Sequence, residues 1–370
     1  MVVLGLTLHA VIAQETENIR HFFVGTYTDG ESEGIYRFGL DIQSGMLHFD
    51  GLSAMSENPS YLAITGDGKK MIAVHEVIEN TETPVSYIEL FSVGEKGTLT
   101  SLNKVYSGGA HPCFVSVNPD GYVLAANYTS GTVALFEIDK QGMLSDTLNV
   151  KQHFGKGLNA KRQEKPHVHS AYFEPGANRA FVADLGIDKV KIYGIDTVSR
   201  KLVVCKYPEI KLPPGSGPRH LAFYPEKKML YVVNELTCTV APVILADDGS
   251  FKLLQAVSTL PEDFKSENTC ADIHLSPDGR FLYVSNRGLN SIAIFEVSPS
   301  GRELKLIGQE PVRGETPRNF TLSPDGDYLL VANQNSNNIV SFKRDVLSGK
   351  LTFIDEINAE KPVCLLFGPK

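Results

Sequence analysis

Cysteine is scarce and scattered: the five residues, at 113, 205, 238, 270 and 364, stand far apart with no C-x-x-C pair. That spacing excludes a zinc ribbon and a disulfide framework and leaves buried free thiols as the reading. Basic charge is also in deficit, with 35 Lys and Arg against 43 Asp and Glu for a net charge of −8 and no clustered basic face. A nucleic-acid partner is therefore not indicated. No apolar run reaches the roughly 20 residues that cross a bilayer. The most apolar stretch, Val2 to Ala13, is too short for a membrane span, but with Val11-Ile12-Ala13-Gln14 at its end it looks like a signal core with a cleavage site. No Lys or Arg precedes it. Residues 1–20 read as a leader or signal segment and residues 21–370 as one domain. A sustained 3.6-residue period is missing as well, which argues against long helices. With 42% hydrophobic and 21% charged residues, disorder is excluded too.

What the chain has is a repeat built around short turns. The copies are NPSYLAITGDGKKMIAVHE from Asn58, HPCFVSVNPDGYVLAANY from His111, HVHSAYFEPGANRAFVADL from His167, GPRHLAFYPEKKMLYVVNE from Gly217, TCADIHLSPDGRFLYVSNR from Thr269 and TPRNFTLSPDGDYLLVANQ from Thr316. A seventh is split: KPVCLLFGPK at the C-terminus supplies its first strand, and HFFVGTYTDG from His21 its second. The spacing is roughly 50 residues, in the range of propeller blades. Each hairpin is followed by two further apolar runs, such as SIAIFEV and ELKLIG after Arg287, so each unit offers four strands. Leu282 and Val284 alternate with Tyr283 and Ser285 in the period-2 pattern of half-buried antiparallel strands. The expected fold is all-β, a seven-bladed β-propeller closed by pairing the two chain ends in one blade.

Hairpin geometry then locates a site. Each turn lies at one end of its inner hairpin, so the start of the first strand and the end of the second share the opposite rim. Counting outward from the turns makes Arg219 and Glu235 near cross-strand neighbours, and likewise Ala271 and Arg287. Around the ring one register reads Val363, Ser60, Cys113, His169, Arg219, Ala271 and Arg318. The partner register reads Tyr27, Glu76, Tyr128, Leu185, Glu235, Arg287 and Gln334. Converging guanidiniums suit a small anion. His169 and Glu235 are both candidates for a general base beside those cations, an arrangement suited to attack on a carbonyl. Arg318, His111, Tyr128, Glu76 and His75 are candidate substrate contacts.

Plainer readings apply to the same residues. Arg219 and Glu235 could be a structural ion pair, and His169 a hydrogen-bonded core histidine. His167 and His169 form an H-x-H pair that could hold a metal with Asp184, but no further ligand cluster supports it. Asn127, Asn234, Asn286 and Asn333 recur where strands end and read as turn residues in left-handed conformations.

HSA at His169, GPRH around Arg219, VVNE ending at Glu235 and SNR ending at Arg287, in that order on a seven-unit propeller, resemble the propeller-type 6-phosphogluconolactonase family, which also holds fungal carboxymuconate lactonizing enzymes. The resemblance runs from about His21 to Phe367. It implies hydrolysis of 6-phospho-D-glucono-1,5-lactone to 6-phosphogluconate in the pentose phosphate pathway, a small anionic sugar-lactone substrate, no cofactor and no metal, and His169, Arg219, Glu235 and Arg287 as the functional set. It also implies a cytoplasmic location, against which the apolar segment sets export to the periplasm or medium. A lactonizing cycloisomerase acting on a muconate-like diacid and a non-enzymatic ligand-binding propeller are the alternatives. Two units depart from the pattern, with Val168 and Cys270 where the others carry Pro, so backbone placement is expected to differ there. On the enzyme reading, replacing Arg219 or Glu235 by Ala is expected to abolish lactone opening with the fold intact.

Overall fold

The computed structural model describes residues 18–77 and 86–369; the apolar segment Val2 to Ala13 lies outside them. Twenty-nine strands and three single-turn 3-10 segments make up the elements. None of the described helices is long and apolar enough to cross a membrane. The strands form seven antiparallel sheets, each one blade, in chain order around a ring. Six begin with the inner strands Leu62–Ile64, Pro112–Val117, Val168–Phe173, Pro218–Tyr224, Thr269–Leu275 and Pro317–Leu322. In the seventh, the C-terminal strand Pro362–Phe367 pairs with Ile19–Thr26, Phe22 opposite Phe367 and Val24 opposite Leu365, so the chain ends close the ring as the split repeat requires. The fourth blade departs from four simple strands: its outer edge is in two pieces, Phe251–Leu253 and Val257–Ser258, both paired with Thr239–Leu245.

There is no single core. Seven apolar clusters lie one between each pair of neighbouring blades, for example Phe22, Val24, Phe38 and Leu40 of the closing blade against Tyr328, Leu330, Ala332 and Ile339 of the sixth. Each large apolar side chain so buried contributes about 1.5–3 kcal/mol, which is how so long a chain folds as one ring. Four of the five cysteines are buried free thiols; Cys205 is half-buried. Neighbouring blades are also pinned by tyrosines: Tyr231 Oη donates to Gly301 O at 2.7 Å, Tyr283 to Gly349 O at 2.9 Å and Tyr328 to Gln43 O at 3.2 Å. The receiving turns leave no room for a side chain. Gly45 has φ +81°, and a Cβ there would stand 2.5 Å from the Tyr328 ring.

The inner hairpins share one irregularity that the sequence count did not resolve. In the blades that start at Pro112, Val168, Pro218 and Pro317 the register slips by one residue next to Cys113, His169, Arg219 and Arg318. Val363 is the extra residue of the closing blade, and Ala271 with Asp272 stand against Ser285 in the fifth. In the first blade, hydrogen bonds from Glu76 N to Asn58 O and Val74 N to Tyr61 O leave Pro59 and Ser60 facing His75. These are β-bulges, which break the in–out alternation and re-aim side chains. Arg219 is therefore not opposite Glu235: Pro218 pairs with Asn234 and His220 with Val233. Nor is Ala271 opposite Arg287, whose partner is Thr269.

The residue before the position usually held by Pro is left-handed at Asn58, His111, Gly217, Thr316 and Lys361, each followed by Pro; His167 before Val168 and Thr269 before Cys270 are not. The two units lacking Pro thus do differ in backbone, as their sequences suggested. The recurrent asparagines do not adopt left-handed conformations. Asn127, Asn234, Asn286 and Asn333 are fully buried at strand ends and act through their side chains, Asn127 Nδ2 donating to Ser107 O at 2.9 Å and Asn333 Nδ2 to Val312 O at 3.0 Å. A buried amide that ties down the incoming inter-blade segment was the stronger demand there.

Candidate active site

The bulged residues follow one another around one mouth of the central channel. Cys113 Sγ lies 3.9 Å from His169 Nδ1, the His169 and His220 rings are 5.4 Å apart, and Arg219 Nη1 donates to Ala271 O at 2.5 Å. From the ends of the second strands come Glu235 and Arg287. Glu235, 3% exposed, sits among three guanidiniums: Arg162 Nη2 at 2.6 Å, Arg219 Nε at 3.1 Å and Arg287 Nη2 at 3.1 Å. Only the Arg162 contact has hydrogen-bond geometry. Arg219 Nε and Arg287 Nε are buried without a hydrogen-bond partner, so the carboxylate attracts both cations without capturing their donors. Arg219 and Arg287 are held inward, side chains 2% and 13% exposed, rather than turned out to solvent.

Arg318 stands apart from this knot. Its guanidinium lies 5.3 Å over the Tyr27 ring, and it forms no ion pair or hydrogen bond among the described residues. Tyr27 Oη donates to Glu76 Oε2 at 2.9 Å, and Ser60 Oγ donates to the same oxygen. Tyr128 stacks on His167 at 4.4 Å, meets His169 edge-on at 5.6 Å and lies 3.4 Å from Arg162 Nη2 through its hydroxyl. His111 is half-buried at the rim with Nδ1 2.6 Å from Thr129 Oγ1. His75 does not join the cluster. It alternates with Glu76 along the strand, faces the other side of the sheet and pairs with Glu89 at 2.7 Å. The metal arrangement of His167, His169 and Asp184 does not form either: Asp184 engages the His153 ring at 2.7 Å and the backbone N–H groups of His167 and Gly186.

Four guanidiniums facing two carboxylates leave the mouth net positive and divide the two candidate bases. Burial raises the Glu235 carboxyl, but Arg287, Arg219 and Arg162 together outweigh it and hold the pKa at about 2. Its oxygens are committed to those three guanidiniums, so Glu235 serves as their counter-ion. Burial pushes the His169 imidazole well below its usual value, and the charges of Arg219 and Arg318 act in the same direction. The ring is neutral at physiological pH, and its Nε2 has no protein partner among the described residues. Burial, with Arg219 and Arg318 repelling and Glu235 opposing, brings even the Arg287 guanidinium down to about 10.

Two residues of the mouth escaped the sequence reading. Arg162 comes from the segment between the second and third blades, which no repeat register covers; its only signal was the basic run Lys161-Arg162 in a long connection. Tyr27 stood in the rim register but was not singled out. Arg219 and Glu235 are both buried in one charge cluster, so replacing either by Ala is expected to cost stability as well as activity.

Residues 21–367 match the family model described as lactonase, 7-bladed beta-propeller. A 6-phosphogluconolactonase of Bacillus subtilis is 36% identical over 93% of this chain and 97% of its own, and one of Formosa agariphila 37% identical over 89% and 94%. A periplasmic gluconolactonase structure from Pseudomonas aeruginosa superposes with a TM-score of 0.88 at 31% identity, covering 95% of this chain and all of that one.

Proposed function

The chain belongs to the lactonase family of seven-bladed β-propellers, and on that premise we propose that it hydrolyses a sugar lactone, 6-phospho-D-glucono-1,5-lactone, to 6-phosphogluconate without a metal. The observation that carries this reading is a buried neutral imidazole, His169, set beside guanidiniums that have donors to spare. His169 takes a proton from a water that attacks the lactone carbonyl. The negative charge that develops on the carbonyl oxygen faces Arg219 and Arg287, the preorganised electrostatic stabilisation that commonly dominates acyl transfer. Collapse breaks the bond to the ring oxygen, which leaves with the proton from His169, and the acid formed ionises in water. The arginines supply the charge that a Lewis acid would otherwise supply, and among the described residues no group of three or more His, Cys, Asp or Glu is suited to a metal ion. Glu235 keeps the cations together rather than moving a proton.

Arg318, with its guanidinium unengaged, is the residue assigned to the substrate phosphate. The test is the background-corrected rate on phosphorylated and unphosphorylated gluconolactone for the wild type and Arg318→Gln. A charge-assisted hydrogen bond contributes about 1.5–3 kcal/mol, so Arg318→Gln should lose about 10–100-fold in kcat/KM on the phosphorylated lactone and little on the other. Equal losses on both would remove the phosphate assignment and favour an unphosphorylated substrate, as the name of the Pseudomonas relative suggests.

A further inference from the structure

Beside Arg219 lies a polar cluster that the proposed chemistry does not touch. Asp272, 1% exposed, accepts five hydrogen bonds: from His220 Nδ1 at 2.7 Å and its neighbour Ile273 N at 2.9 Å on one oxygen, and from His274 Nε2 at 3.1 Å, Asn319 Nδ2 at 2.5 Å and Phe320 N at 3.5 Å on the other. Two of those donors, the backbone amides, cannot reverse their role. A carboxylate so surrounded is held ionised, and its pKa lies far below the usual range because its attraction to His274 and His220 outweighs burial. His220 Nδ1 must then carry the proton.

That fixes the rest of the ring. Burial, reinforced by Arg219 and opposed by Asp272, brings His220 down to about 4, so at neutral pH the ring holds one proton only. With that proton on Nδ1, Nε2 is an acceptor, and it lies 3.3 Å from Arg219 Nη1. Nη1 has two hydrogens. One goes to Ala271 O at 2.5 Å and the other to His220. Nε faces Glu235 at 3.1 Å without hydrogen-bond geometry, and Nη2 makes no hydrogen bond or ion pair among the described residues. Tyr61 and Phe114 wall the imidazole edge-on at 5.9 and 5.5 Å, so the ring cannot turn without displacing aromatics.

We infer that His220 and Asp272 are positioning residues for Arg219: the ionised Asp272 selects the Nδ1–H form of His220, whose Nε2 binds Nη1 and so turns Nη2 toward the substrate carbonyl. The inference deepens the lactonase reading and rests on it for what Arg219 does, but the proton placement stands on the geometry alone. It has two readouts. Nitrogen-15 spectra of the histidine rings in the whole protein at pH 7 should show His220 protonated on Nδ1 and not on Nε2. In Asp272→Asn, whose amide cannot accept from every donor, that signature should be lost. Protonation on Nε2 in the wild type would overturn the inference whether or not the protein turns over lactone.

The second readout is kinetic. Misplacing a catalytic group by about 1 Å costs on the order of 100-fold. His220→Leu, which fills the space but accepts nothing, should lower kcat about 10–100-fold with KM within about 3-fold, and His220→Gln, which keeps an acceptor, should recover most of that loss. A purely structural role would move the melting temperature and leave kcat of the folded fraction unchanged. A folded His220→Leu with wild-type kcat would overturn the inference. If that variant does not fold, an Asp272→Asn protein that keeps full kcat with His220 in the Nε2–H form would do the same. Absence of lactone opening in the wild type would instead count against the lactonase reading.

Discussion

Replacing His169 with Gln is expected to lower the background-corrected kcat/KM for lactone opening by about 100- to 10,000-fold, the usual range for loss of a positioned general base. The reason lies in how the ring is held. The bulge beside Val168 adds one residue to the inner strand and aims His169 into the mouth, where its one side-chain polar contact among the described residues is Cys113 Sγ. A ring tied into a hydrogen-bonded network would be structural; this one is left with an unengaged Nε2. For the same reason the substitution should cost little stability, because Gln has a similar length and removes no ion pair. Steady-state rates together with thermal unfolding check both halves. A folded His169→Gln protein with near wild-type kcat/KM would transfer the base role elsewhere.

Glu235→Gln should show the opposite pattern, with stability failing first. Taking the carboxylate out from between Arg162, Arg219 and Arg287 leaves two buried guanidiniums facing each other without their counter-ion. Removing one member of a buried charge cluster costs about 3–5 kcal/mol. With unfolding entropy of about 2.1 cal/mol/K per residue, that is a fall of about 4–7 °C in Tm for a chain of this size. The pH dependence has a definite sign. Because the folded pKa, about 2, lies below the ordinary carboxyl value, the contribution of Glu235 is complete above the unfolded pKa and is lost as pH falls toward 2. Scanning calorimetry of the two proteins between neutral pH and pH 3 should show their Tm values converging on the acid side. Equal Tm at neutral pH would mean that solvent already neutralises the cluster.

Much of this architecture could be read from the chain because a propeller repeats its instructions. Turns such as Pro119-Asp120-Gly121 and Pro324-Asp325-Gly326 set the hairpins, and the half-units at the two ends announced their own pairing. Counting residues outward from those turns was enough to bring His169, Arg219, Glu235 and Arg287 to one mouth. It could not reveal the bulge, since one extra residue shifts register by less than the count distinguishes, yet that residue is what each blade contributes to the mouth. His75 was misplaced for a related reason: beside Glu76 it appears equally near the rim, but strand alternation sends the two to opposite faces. Arg162 lies in a connection with no repeat to index it, and its meeting with Glu235 is a tertiary event. His220 and Asp272 sit next to counted positions, and their role depends on which nitrogen holds a proton, a property no spacing encodes.

The most direct measurement is the pH profile of kcat/KM for lactone opening, corrected for spontaneous hydrolysis, on the wild type and His169→Gln between pH 4.5 and 8. With a base held neutral by burial and by the charges of Arg219 and Arg318, the wild-type rate should stay level from pH 8 down through 6.5 and fall only below it, and His169→Gln should lack that acid limb. A wild-type rate that halves at or above pH 6.5, or an identical limb in both proteins, would contradict the assignment of His169 as the group that activates water.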